Sequence, residues 1–167
     1  MSTHTPQKHY AKAAAQVVQN YVKAQEETTP PDQVILLLLD GVLRFIEEAK
    51  SHIDKEEFKE KNLVLVKAQT IVKELMDALD PSIGEMAFRN LRGLYFFAYR
   101  KLVEANVHND VKILDEAAEV SSDLREMWGA TVDEYHKQLK DAAESAKAPS
   151  RESDEQQVPI ASLSVEC

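Results

Sequence analysis

The sequence predicts an all-α protein: an antiparallel up-down four-helix bundle with an additional N-terminal helical segment and a disordered C-terminal tail. Three observations carry this. Apolar residues recur at helical spacing through four long stretches, and no stretch alternates as a half-buried strand would. Only four glycines and six prolines punctuate 167 residues, so tight turns are few. The links between the periodic stretches are only a few residues long, which makes sequential helices antiparallel neighbours. Four helices of about 20 residues make a bundle about 30 Å long. The bundle is placed at residues 28–146, with 1–27 as a partly helical N-terminal segment and 147–167 as the tail.

The elements follow in order. Residues 1–8 carry no pattern. From His9 to about Glu27 the chain is Ala-rich and weakly helical, anchored by Val17, Val18, Tyr21 and Val22. The first strong helix is expected from about Pro30 to His52. Thr29 suits its cap, Pro30 the first helical position, and Asp32 puts a carboxylate in the first turn. Val34, Leu38, Val42, Phe45 and Ala49 form one apolar stripe, and Ile35, Leu39, Leu43 and Ile46 a second beside it. Together they span roughly half the helix, against an arc of about 100° for an ordinary core-facing helix. Asp40, Arg44, Glu47, Glu48 and Ser51 hold the remaining face in water. The helix therefore has apolar area to spare, to be covered by more of the chain or by another molecule.

The second helix is expected to open on Asp54-Lys-Glu-Glu57, which has capping-box spacing. Phe58, Leu65, Ala68, Val72, Leu75 and Leu79 form its seam. Asp80-Pro81 ends it, because proline disfavours helical geometry in the residue before it. Ser82-Ile-Gly-Glu85 reads as another capping box, opening a third helix to about Asn106. Ala87, Leu91, Leu94, Ala98, Leu102 and Ala105 make its central stripe, with Phe88, Tyr95 and Tyr99 on one flank. A fourth helix starts near Asp110 on Val111, Leu114, Ala117 or Ala118, Ser121, Leu124 and Trp128. Gly129 is its weak point, Thr131-Val-Asp-Glu134 can recap it, and Val132, Tyr135, Leu139 and Ala142 prolong the stripe. Residues 148–167 mix Pro, Ser, Glu and Gln with scattered apolar residues, a disordered composition.

Composition narrows the function. A formal charge of −9 argues against nucleic acid, since the lysines are interleaved with Glu and Asp as on a solvated helical face. Cys167 is the only cysteine and the last residue, so neither a disulfide framework nor a prenylation box is expected. The longest apolar run, Val34 to Leu39, is too short for membrane insertion, and Met1 to Tyr10 carries no secretory apolar core. A soluble cytoplasmic protein is expected. Metal-binding bundles use Glu-x-x-His on an inward face, and no His here follows a Glu at that spacing. Glu48 and His52 are four apart but on the polar face, where a solvated pair is the simpler reading. No Gly-rich phosphate loop is present, so neither cofactor, metal nor catalytic residue is expected.

The surplus apolar surface has two readings: core covered by the N-terminal segment, or a groove. Four large side chains at about 1.5–3 kcal/mol each would give roughly 6–12 kcal/mol of gross burial. Ordering a partner helix cancels much of that, leaving a reversible binder of an amphipathic helix.

Over about residues 21–128 the chain resembles the flagellar export chaperone family FliS. Tyr21 precedes Thr28-Thr29-Pro30-Pro31, where the family has Thr-Ala-Ser-Pro. Leu38-Leu39-Asp40-Gly41 stands where the family has Leu-Tyr-Asp-Gly, and Lys67-Ala68-Gln69 matches a further family run. Ile83 to Tyr95 resembles Gly-Gly-Glu-Ile-Ala-x-Asn-Leu-x-x-Leu-Tyr at Glu85, Ala87, Asn90, Leu91, Leu94 and Tyr95, with one residue more between Ala87 and Asn90. Arg100 to Asp110 and Leu124-Arg125-Glu126-Met127-Trp128 complete the set. Pro30 replaces the family's Ser, Leu39 its aromatic and Ile83 its first Gly. No single match is specific, but their order and spacing are.

The resemblance implies a cytosolic chaperone that binds the disordered C-terminal segment of flagellin, prevents early polymerisation and escorts it to the flagellar type III export gate. The segment becomes helical in apolar grooves. The expected partner-binding residues are Tyr21, Ile35, Leu39, Leu43, Phe88, Asn90, Tyr95, Tyr99 and Asn106. Residues around Tyr21 are expected to lie over part of the groove when no client is bound. The other reading is a helical adaptor of the same fold, with an anti-sigma factor or export-gate component as client, or a weak homodimer through the same faces.

Overall fold

The computed structural model describes residues 31–147. Thr29, Tyr21, the rest of the N-terminal segment and the tail from 148 lie outside the described residues. Four helices follow in order: α1 Pro31–Asp54, α2 Phe58–Asp77, α3 Glu85–His108 and α4 Val111–Lys147. A single 3-10 turn, Pro81–Ile83, lies between α2 and α3. No strand occurs among the described residues.

Side-chain pairs give the topology. A Cβ on Gly41 would stand 3.6 Å from Ile71 Cδ1, and the Lys67 ammonium lies over the Phe45 ring, so α1 and α2 run antiparallel. Lys61 reaches Asn106 and Asn109 while Gln69 reaches Leu102, the same reversal between α2 and α3. Lys101 pairs with Glu116 and Tyr95 with Trp128 across α3 and α4. Lys50 with Asp115 and Arg125 with Asp40 close the ring between α4 and α1. The result is an up-down-up-down bundle.

The core is one apolar cluster fed by all four helices. On α1 both stripes feed it: Leu38, Leu39, Val42, Phe45, Ile46 and Ala49 are buried. Most of the surplus apolar surface of this helix is therefore core, and Ile35 and Leu43 form its half-buried margin. On α3 the buried set is Leu91, Tyr95, Ala98, Leu102 and Ala105. Here the expected stripe is corrected. Tyr95 turns inward, while Leu94 and Ala87 are exposed. Full burial of a phenol needs a partner for its hydroxyl, and Trp128 supplies one. On α2, Phe58 is exposed rather than part of the seam, and Leu79 lies beyond the helix.

Neither capping box forms. Asp54 is still the last residue of α1, so it cannot take the extended geometry of a cap for α2. Glu57 occupies the cap of α2 without a side-chain cap bond, and its carboxylate instead meets His52 Nδ1 at 2.6 Å. Glu56 turns the corner at φ 59. Before α3 the cap shifts upstream: Asp80 accepts from the Ser82 N–H at 2.8 Å, starting the 3-10 turn. That bond holds the Asp80 carboxyl below its usual range. Asp80 is extended, at ψ 120, as the following proline requires. Gly84 then leads into α3 at φ 104, a geometry that favours glycine. At the α3–α4 corner Asn109 is left-handed, and Asp110 accepts the Lys112 N–H at 2.8 Å.

Gly129 does not interrupt α4. Thr131 does not recap it either: its hydroxyl donates to the Met127 carbonyl four residues back, as a helix-interior threonine does. A lone glycine costs about 1 kcal/mol in a helix, and Val132, buried one turn beyond it, offsets that. One compact unit of the chain runs to Glu134 and a second begins at Tyr135. Of the second, the described residues are helical and mostly exposed, with Tyr135 and Leu139 presenting about half their surface.

Candidate functional site: the outer surface of the bundle

The residues singled out in the sequence separate into three groups. Leu39 and Tyr95 are fully buried. The Tyr95 hydroxyl accepts from Trp128 Nε1 at 2.8 Å, and burial pushes its phenol up to about 12. A partner reaches neither side chain unless the bundle opens. Ile35, Leu43, Phe88 and Tyr99 are half-buried at the margins of α1 and α3, and Asn90 is exposed near the start of α3.

Asn106 belongs to a polar clamp at the far end of α3. Its side-chain amide donates to Asn62 Oδ1 at 2.7 Å, and its backbone carbonyl accepts from Lys61 Nζ at 2.5 Å. Lys61 also reaches Asn109 Oδ1 at 2.6 Å. It is a lysine only 3% exposed with neutral acceptors, and desolvation lowers its pKa. The clamp ties α2 to the α3–α4 corner. Asn106 Oδ1 is buried without a partner.

The outer face of α3 lies outside the stripes expected from the sequence. Met86, Phe96 and Phe97 are exposed there, and Leu94 is exposed on the flank of the core stripe. A signal was available. Leu94 to Tyr99 reads Leu-Tyr-Phe-Phe-Ala-Tyr, and three consecutive aromatics sweep about 200° of a helix. No core-facing arc is that wide, so at least one ring had to face outward. The same face is basic. Arg100 and Lys101 lie 5.8 and 5.6 Å from the Phe97 ring centroid. The Glu116 carboxylate beside Lys101 raises that ammonium above its usual range.

Glu48 and His52 do not pair with each other: Glu48 meets Arg44, and His52 meets Glu57. Among the described residues no group of three His, Cys, Asp or Glu could hold a metal ion, and no helix is long and apolar enough to cross a membrane. What this surface offers chemically is apolar and cation-π contact.

Comparison with known proteins places the chain. The family described as "Flagellar protein FliS" matches residues 13–145. A flagellar secretion chaperone FliS of Bacillus subtilis is 32% identical over 117 residues, covering 70% of this chain and 86% of that protein. The flagellar secretion chaperone FliSB of Pseudomonas aeruginosa is 33% identical, covering 70% and 93%. A crystal structure of a bacterial flagellar chaperone shares the fold at TM-score 0.58 and 20% identity, over 72% of this chain and 98% of that one. The family match spans α1, α2, α3 and nearly all of α4, and the chain belongs to the FliS family of flagellar proteins.

Proposed function

We propose that this protein is a cytosolic flagellar export chaperone. It binds the disordered C-terminal segment of flagellin, keeps it from polymerising and delivers it to the export gate of the flagellar type III apparatus. The family match over residues 13–145 carries the reading, with relatives named flagellar secretion chaperones. The exposed aromatic and apolar residues of the bundle support it, since a helix that folds on binding needs such a surface. On this reading the protein is a binding protein and not an enzyme. Ile35, Leu43, Phe88, Asn90 and Tyr99 are its accessible contacts. Leu39 and Tyr95 act by holding the bundle in shape, and Asn106 by holding its corner.

The test is calorimetry with the C-terminal segment of the host flagellin. Stoichiometric binding is expected, with a gain in helical circular dichroism on mixing as the segment orders. A titration without heat or helical gain, at concentrations where a micromolar complex would form, refutes the proposal.

A further inference from the structure

The outer face of α3 carries a second stripe, opposite its core stripe. Met86, Arg89, Gly93, Phe96, Phe97 and Arg100 recur at helical spacing, and Met86 and Phe96 are 78% and 55% exposed. At the centre of this stripe stands a glycine that the fold does not require. Gly93 lies in mid-helix, and nothing comes within 4 Å of where its Cβ would stand. Alanine would fit there. Glycine in a helix interior costs roughly 0.5–1 kcal/mol relative to alanine, and no contact within the described residues offsets it. A glycine flanked by aromatic rings is what a closely crossing backbone needs, because interaxial distance is set by the side chains at the contact.

Charge indicates what crosses. The chain carries −9 overall, yet α3 sets Arg89, Arg92, Arg100 and Lys101 against only Glu85 and Glu104. Lys101 already faces Glu116, and Arg89 faces Glu85. Arg100 lies over the Phe97 ring, which leaves its N–H edges for a carboxylate.

We infer that the outer face of α3 is a docking site for an amphipathic client helix that crosses at Gly93. The client's apolar side packs on Phe96 and Phe97, and its flanking carboxylates meet Arg100 and its neighbours. The inference rests on the chaperone reading, since the occupant is the client segment.

The experiment separates the two. Gly93→Ala and Gly93→Leu are compared with wild type for thermal stability and for calorimetric binding of the flagellin C-terminal segment. Both variants should be as stable as wild type or more so, because each restores helix propensity. Binding should nevertheless weaken, by roughly tenfold or more for Gly93→Leu. Arg100→Glu should weaken binding most at low salt. If wild type binds and Gly93→Leu binds equally well, the α3 face is not the docking site while the chaperone reading stands. If wild type does not bind the segment, the chaperone reading falls, and this occupant with it. A wild-type dimer that Gly93→Leu dissociates overturns the inference in favour of a second copy.

Discussion

Tyr95→Phe separates a core role from a binding role. The ring is fully buried, and its hydroxyl accepts the Trp128 N–H at 2.8 Å. Phenylalanine keeps the ring volume and removes only the acceptor, leaving the indole N–H without it. An unsatisfied buried donor costs about 1–3 kcal/mol. Trp128 is only partly buried, so water can reach its edge and the lower part of that range applies, about 1–1.5 kcal/mol. For a domain of about 100 residues, each kcal/mol lowers Tm by about 4–8 °C. Denaturant unfolding followed by far-UV circular dichroism measures the loss. The fluorescence of Trp128, the only tryptophan, reports from the bond itself. A cycle with Trp128→Phe should show coupling of about 0.5–1.5 kcal/mol.

The pH dependence has a definite sign. The folded phenol titrates at about 12 against an ordinary value of 10.0, because burial disfavours the phenolate. The unfolded state loses its proton first, so this group's contribution is intact below pH 10.0 and is lost as pH rises towards about 12. Tyr95→Phe should flatten that alkaline decline. Flagellin-segment affinity should stay within a factor of two to three of wild type, well under the roughly tenfold that 1.4 kcal/mol would give. A variant of unchanged stability that binds tenfold more weakly would refute the reasoning and make Tyr95 a contact residue.

Three further outcomes follow from the geometry. Gly41→Ala places a methyl at ordinary contact distance from Ile71, 3.6 Å, and should stabilise the bundle by about 0.5–1 kcal/mol in denaturant melts; a loss would show a clash. Lys61→Met removes a lysine whose pKa burial holds below 10.5. The folded state binds fewer protons there, so wild type gains stability as pH rises towards 10.5 and the variant lacks that gain; a wild-type-to-variant difference that is constant with pH counts against it. Asp40→Asn breaks the exposed pair with Arg125 and should cost less than about 1 kcal/mol, with the difference vanishing in high salt; a larger, salt-independent loss would mean the pair does more than join α4 to α1.

The amino-acid sequence specifies the number, order and approximate ends of the four helices. These follow from local periodicity, and periodicity survives without knowledge of neighbours. It also determined the family, because ordered motifs from Asp40-Gly41 to Trp128 are a property of the chain. The placement of caps was only half legible. Asp54 and Ser82 have the right spacing, but α1 runs on to Asp54, and Asp80 rather than Ser82 takes the cap, accepting the Ser82 N–H at the start of the 3-10 turn Pro81–Ile83. Which apolar residues face inward is set by packing between helices. Leu94 and Tyr95 are adjacent, and helical spacing admits either to the seam. Trp128, 33 residues away, supplies the hydrogen bond that lets the phenol be buried and turns Leu94 out. The same non-local choice buries Leu39 and leaves Phe96 and Phe97 on the surface. Burial is settled between helices, and no single helix carries that information.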